Sequence, residues 1–228
     1  MLYPKERQNL ANVINELRIL GILNPEGGGI VVRIGNGNIL ASPTGAAFRL
    51  WKVEPKDILV TNKDGYILEK GNYLAIAEFS FDLHILSNFP LANAIFHVHG
   101  PYSLAFASKR KSIPCSTNHV EILGKVPCLE SPDETGLKRE YLKNPFPVNM
   151  PKAVIQRPEV FLVFRGLVKE FDHLFKSRAG ELENHGLAFT VEKHGLFVFA
   201  KTLEEAIENA VRVEGAARTA LFGQLIKE

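Results

Sequence analysis

Apolar and polar residues follow two different periods along this chain, and the two periods predict helices and strands. Near the N-terminus, apolar residues recur every three or four positions, which is the spacing of one helical face. Near the C-terminus, Thr202 and Glu205 have the spacing of a capping box at a helix start. Helices are predicted over residues 4–20, 78–88 and 101–109, within 159–178, and after Thr202.

Short apolar runs between turn residues predict β-hairpins. Gly35-Asn36-Gly37 separates the runs 30–34 and 38–42, and an Asn-Gly pair supplies the positive φ angles of a tight turn. A second hairpin is expected to join 58–61 to 66–68, and further strands are expected at 92–99, 187–193 and 196–200. Strands interleaved with helices predict an α/β sandwich with a mostly antiparallel or mixed sheet.

The length of 228 residues fits one domain, which we assign to residues 1–228. No linker divides the chain, but prolines repeatedly interrupt residues 124–184, where the pattern is hardest to interpret. Apolar residues make up 46% of the chain and charged residues 23%, which is typical of globular proteins. We therefore expect a single globular domain with one unusual segment.

The charge and the apolar runs exclude several classes of function. A formal net charge of +2 argues against binding to nucleic acid or to an anionic membrane, since both require a surplus of cations. No apolar run approaches the roughly 20 residues that a membrane span needs. Two cysteines are too few for a disulfide framework, and the charged N-terminal residues are unlike a signal peptide. We expect a cytoplasmic protein.

The motif His97-Val98-His99 is the strongest local indication of chemistry. Residues i and i+2 of a strand point to the same face, so both imidazoles can offer nitrogen ligands to one metal ion. The alternative is a pair of surface histidines. The apolar run 92–96 favours a buried strand, where unpaired imidazoles would be costly.

A catalytic zinc site usually needs a third protein ligand. His194 lies between two apolar runs and directly precedes a predicted strand and the capped helix. His185 has the same His-Gly context and is the alternative. We expect His84, His119 and His173 to be solvated or core residues.

Glu78 stands at the predicted start of the second helix. An acidic residue in a first helical turn is usually explained by its favourable interaction with the helix dipole. Close to a divalent metal, a carboxylate can also take a proton from a substrate. Both interpretations stay open at this point.

Taken in order, these motifs resemble the class II sugar aldolase and adducin-head family, typified by L-fuculose-1-phosphate aldolase. The matching stretches together cover roughly residues 5–123 and 186–225. They are a glycine-rich strand entry ending at Arg33, Ala41-Ser42-Pro43-Thr44-Gly45, Glu78, residues 92–99, Ser112-Ile113-Pro114, and His194-Gly195 before 202–206.

The resemblance implies a fold, a cofactor and a reaction. The fold would be a central sheet between helical layers, assembled as a homotetramer with sites at subunit interfaces, and 124–184 would be an insertion. One Zn²⁺ per subunit would bind His97, His99 and His194, with Glu78 as the catalytic acid/base. The reaction would be reversible aldol cleavage of a sugar or sugar phosphate through an enediolate.

Substrate contacts implied by the resemblance fall on Gly28, Gly29, Thr44 and Gly45. The family's usual Gly-Asn-x-Ser loop is replaced here by Gly28-Gly29-Ile30-Val31, and two serines before the glutamate are replaced by Ile76-Ala77. The glycines could still present backbone N–H groups to an anion, although a plain turn is the alternative.

Other activities of the same fold are compatible with these motifs. After Ser112-Ile113-Pro114, where a tyrosine proton donor is expected from the resemblance, the chain has Asn118-His119. A 4-epimerase or dehydratase would use the same metal chemistry. A metal-free scaffold like the adducin head is the non-enzymatic alternative, although it would have no reason to keep the three histidines and Glu78.

Overall fold

The computed structural model describes residues 1–43, 46–47, 50–71, 79–131 and 171–226. Three of the predicted site residues, Thr44, Gly45 and Glu78, lie outside the described residues. Most of the segment 124–184 does so as well.

The helices lie where the periodicity predicts them. Thr202 caps the last helix as expected, because its hydroxyl accepts a hydrogen bond from the Glu205 N–H at 3.1 Å. The Glu205 carboxylate accepts a bond from the N–H of Lys201 at 2.8 Å, one residue before the predicted partner. The helices are α1 (Pro4–Ile19), α2 (Phe79–Asn88), α3 (Pro101–Ser108), the helical segment 171–178 and α4 (Leu203–Gly223).

Eight strands form one sheet in the described part of the chain, in the order β4-β3-β2-β1-β5-β8-β7-β6. The β6–β7 pair is parallel and the other pairs are antiparallel, which confirms the mixed sheet. The strands are β1 (Gly28–Arg33), β2 (Ile39–Ala41), β3 (Leu59–Thr61), β4 (Ile67–Glu69), β5 (Ala94–Val98), β6 (Cys128–Leu129), β7 (Leu187–Val191) and β8 (Gly195–Ala200).

Strand β1 begins earlier than the pattern predicts. Gly28 and Gly29 pair with Val98 and His97 of β5. The sequence pattern instead predicts a strand that begins at residue 30, with a plain turn as one interpretation of the glycines. The close approach requires glycine, because a Cβ on Gly28 would lie 2.6 Å from the His97 carbonyl oxygen. The glycines therefore bring β1 directly against the strand that carries the histidine pair.

The two faces of the sheet carry separate cores, which confirms the predicted sheet between helical layers. Alternation along β5 sends Phe96 and Val98 into the core shared with α1, α3 and α4. Ile95 faces the other core, which is formed with α2 and the helical segment 171–178.

The second core is rich in aromatic side chains. Phe171 and Phe175 both contact Phe199 of β8, with ring centroids 4.9 and 5.1 Å apart. The helical segment 171–178, in the second described part of 124–184, therefore belongs to this second core. None of the helices in the described part of the chain has the length and apolar composition that a membrane span requires.

Candidate metal centre

The antiparallel register brings His194 to the histidine pair. In the pairing of β5 with β8, Val98 lies opposite Leu196, so His99, the residue after β5, approaches the beginning of β8. His194 directly precedes β8, and it therefore lies beside His99. One end of two neighbouring strands thus gathers three imidazoles.

The same topology separates His185 from this site. Strand β7 is antiparallel to β8, with Leu187 opposite Phe199. His185 therefore lies near the last residues of β8, whereas His194 lies next to its first residue. Its ring nitrogen Nδ1 lies 3.0 Å from the carbonyl oxygen of Gly186. Of the two His-Gly candidates, the structure places only His194 with His97 and His99.

The three histidines fit a metal ion. Their ligand nitrogens all lie within 4.8 Å of one another, and the Nε2 atoms of His97 and His99 are 2.9 Å apart. Two nitrogens bound to one tetrahedral Zn²⁺ at about 2.0–2.1 Å would be roughly 3.3 Å apart. Small side-chain shifts would therefore allow all three to bind one ion.

Packing orients the His97 ring. It is 4% exposed and runs parallel to two neighbouring rings, with centroid distances of 4.3 Å to Phe197 and 4.8 Å to His194. Phe197 belongs to the aromatic core beneath the sheet. The stacked arrangement restricts the imidazole to one orientation towards its neighbours.

The His99 ring packs against two glycines, and its burial favours the neutral form of the imidazole. Burial is the main cause that lowers its pKa from 6.5 to about 3, and the neighbouring His97 and His194 lower it further. A Cβ on Gly195 would lie 2.7 Å from His99 Cδ2, and one on Gly27 would lie 3.3 Å from Cε1. At neutral pH this imidazole therefore keeps a lone pair available for a metal ion.

A buried carboxylate holds the chain directly after His99. Glu214 of α4 accepts hydrogen bonds from the N–H groups of Tyr102 at 2.7 Å and Ser103 at 2.9 Å, in the first turn of α3. Gly100, the residue before α3, has no side chain to cap the helix, so the Glu214 carboxylate serves as the cap. A Cβ on Gly100 would lie 2.5 Å from this carboxylate. Glu214 thus links the helix after β8 to the residues that follow β5.

The remaining predicted residues lie at different places. Arg33 is a structural clamp, because its guanidinium donates to the carbonyl oxygens of Leu86 and Pro90, both at 2.6 Å, and to Asn93 Oδ1 at 2.9 Å. His119 is exposed and lines a groove of about 460 Å³ with Arg218, away from the three histidines. Glu78, Thr44 and Gly45 lie outside the described residues.

Sequence reasoning missed two residues near the centre, Asn24 and Glu214. In the sequence, Asn24 has the pattern of a helix-ending turn, and Glu214 that of an ordinary position in an amphipathic helix. Their partners lie 75 and 112 residues away in the chain, so no local signal could have identified them.

A comparison with protein families identifies the fold that carries this centre. The model of the class II aldolase and adducin N-terminal domain matches residues 8–221, which is nearly the whole chain. The chain belongs to this class II aldolase family. This confirms the family resemblance that the sequence motifs indicate.

Relatives of this class II aldolase-family chain include named enzymes. The L-ribulose-5-phosphate 4-epimerase UlaF of Salmonella paratyphi B is 26% identical over 187 residues, covering 81% of this chain and 69% of its own length. Two similar solved structures share the fold at 20% identity. YgbL of Escherichia coli has a TM-score of 0.65 (97% of this chain and 91% of its own), and L-fuculose-1-phosphate aldolase of Thermus thermophilus has a TM-score of 0.64 (97% and 96%).

Proposed function

We propose that this chain is a divalent-metal-dependent lyase that cleaves a sugar or sugar phosphate by a retro-aldol reaction. The observation that carries the proposal is the convergence of His97, His99 and His194 at one end of β5 and β8. Three imidazoles, with no fourth ligand grouped with them among the described residues, are typical of a catalytic Zn²⁺ site, which keeps a position for water or substrate. Family membership supports the same assignment.

The chemistry divides between the bound ion and the chain's own residues. A bound divalent ion would supply Lewis acidity, which stabilises negative charge that develops on oxygen. In retro-aldol cleavage, a base takes a hydroxyl proton and a carbon–carbon bond breaks, giving an aldehyde and an enediolate that then takes up a proton. We assign the proton transfers to Glu78 on the basis of the family resemblance. The residue after it, Phe79, begins α2 and is buried in the core that Phe197 also joins.

The role of Glu78 is tested by Glu78→Gln. The amide keeps the size of the side chain but cannot accept the proton, so turnover should fall by about 10²-fold or more. Bound metal, measured by elemental analysis, should stay near the parent level. Simultaneous loss of metal would mean that Glu78 is a ligand instead.

A 4-epimerase is the second candidate, and the 26% identity to the UlaF protein supports it. Epimerisation could break the same kind of bond and rejoin the fragments with inverted configuration. Purified metal-loaded protein should therefore be offered L-ribulose 5-phosphate, with the epimer followed by NMR. Epimer formation without free aldehyde would replace the lyase assignment by the epimerase one.

The substrate is tested by a screen of ketose 1-phosphates and unphosphorylated ketoses, with the aldehyde product detected by a coupled dehydrogenase. Aldehyde release supports the lyase. Activity only on unphosphorylated sugars would mean that the replacement of the family's phosphate contacts changed the specificity. A purified chain that holds no divalent metal and takes none up would contradict both enzymatic assignments and favour a scaffold.

We also propose a homotetramer, because the family resemblance implies sites at subunit interfaces. Light scattering coupled to size-exclusion chromatography should give four times the chain mass of 25.4 kDa. A monomer mass would contradict this part of the proposal.

A further inference from the structure

The side chain of Asn24 joins the turn before β1 to the end of β5. Its Nδ2 group donates a hydrogen bond to the carbonyl oxygen of His99 at 2.7 Å. Its Oδ1 atom accepts a hydrogen bond from the N–H of Glu26 at 2.9 Å. One amide therefore fixes the main chain of His99 relative to the turn that contains Glu26.

That same turn lies against the imidazole of His99. Gly27 approaches the ring so closely that a Cβ there would lie 3.3 Å from Cε1 and 3.5 Å from Nδ1. The backbone of Glu26 also offers a hydrogen-bonding interaction to the ring. Because Nε2 faces His97 at 2.9 Å, the turn meets the opposite, Nδ1 side of the imidazole. The position of the turn thus sets the direction in which Nε2 points.

Asn24 is itself held by a buried tryptophan. The indole Nε1 of Trp51 donates to the Asn24 carbonyl oxygen at 2.8 Å, and Trp51 is 1% exposed. Leu50 and Trp51 both have positive φ angles, of 53° and 56°. Bulky residues seldom adopt this conformation, and it persists only where the surroundings determine it strongly. The backbone strain at Trp51 thus accompanies a contact that fixes Asn24.

We infer that Asn24 is a positioning residue of the metal centre, acting through the backbone and ring orientation of His99. The inference rests on the proposed function, since it takes His97, His99 and His194 as metal ligands. Groups that orient a ligand without touching the metal typically change metal affinity by about 10–100-fold when they are removed. Asn24 has two such routes to His99, one through the carbonyl oxygen and one through the turn.

Asn93 provides a matched control. Asn93 directly precedes the first residue of β5, at the end of the strand away from His99. Like Asn24, it is half-buried and bridges two segments of the chain through its side-chain amide. Its Oδ1 accepts from Arg33 Nε at 2.9 Å, and its Nδ2 donates to the Lys201 carbonyl oxygen at 3.1 Å. Asn93→Ala should therefore remove comparable hydrogen bonds without disturbing His99.

The test measures Co²⁺ affinity by competition with a chromophoric chelator, together with the visible d–d spectrum of the Co²⁺-loaded protein. Asn24→Ala should weaken binding by about 10-fold or more and change the spectrum, whereas Asn93→Ala should stay within about twofold of the parent. Asn24→Asp keeps the acceptor for Glu26 but loses the donor to His99, so it should also weaken binding. Trp51→Phe, which loses the indole donor and part of the buried ring but leaves the Asn24 amide in place, should have a smaller effect in the same direction.

Each outcome decides the matter. Asn24→Ala and Asn24→Asp at parental affinity with an unchanged spectrum would overturn the inference. If Asn93→Ala weakens Co²⁺ binding as much as Asn24→Ala does, and the two variants have the same Tm, the inference is also overturned. The weakening would then reflect general destabilisation rather than the contact with His99. If Asn24→Ala does not fold, as judged by circular dichroism, the Asp and Trp51→Phe variants decide. A parent protein that binds no metal would instead refute the proposed function, and this inference with it.

Discussion

Replacing Glu214 by alanine should destabilise the protein by removing the cap of α3. The carboxylate accepts two backbone N–H groups at 2.7 and 2.9 Å, and the second of these bonds is buried. A hydrogen bond to a charged group contributes about 1.5–3 kcal/mol, and the desolvation of the carboxylate offsets part of that gain. We therefore expect a loss of about 2–4 kcal/mol in the free energy of unfolding.

Denaturant unfolding followed by circular dichroism measures this loss, and a thermal scan should show a decrease in Tm of roughly 4–16 °C. Glu208→Ala is the matched control on the same helix. Its carboxylate is largely exposed and pairs with Arg212 at 2.9 Å, an interaction worth only about 0.3–0.5 kcal/mol. A loss below about 1 kcal/mol for Glu214→Ala, or one equal to that of the control, would refute the capping argument.

Three further predictions concern His99 and Arg33. Gly195→Ala should weaken metal binding, measured by chelator competition, because its Cβ would lie 2.6 Å from the Val98 carbonyl oxygen and 2.7 Å from His99 Cδ2; parental affinity would contradict this. The unfolded state should bind a proton at His99 as pH falls from about 6.5 towards 3 while the folded state, with its pKa of about 3, does not. Metal-free protein should therefore lose stability across that window, and His99→Gln should reduce the slope of unfolding free energy against pH; an unchanged slope would contradict the pKa. Arg33→Lys should cost about 2 kcal/mol, since one ammonium cannot reach all the acceptors of the guanidinium, but metal content should not change.

Local patterns predicted most of the elements because each depends on neighbouring residues. The capping pair Thr202 and Glu205 marks the start of α4 in the sequence itself, and the Asn-Gly turn marks the first hairpin. The histidine pair was predicted to share one face because the strand period of two needs only β5 to be identified.

Long-range register decided what local patterns could not. His185 and His194 both precede glycine, and only the antiparallel pairing of β7, β8 and β5 separates them. The early start of β1 has the same origin, because Gly28 pairs with Val98, far along the chain. Asn24 contacts His99, and Glu214 contacts Tyr102, across 75 and 112 residues of sequence, which no local pattern spans.

The central claim is that His97, His99 and His194 together hold a metal ion. Metal content per chain, measured by elemental analysis after loading with Zn²⁺ and removal of excess ion, tests it most directly in the parent, His194→Ala and His185→Ala proteins. We expect about one equivalent in the parent and in His185→Ala, and almost none in His194→Ala. A metal-free parent, or loss of metal in His185→Ala with retention in His194→Ala, would contradict the claim.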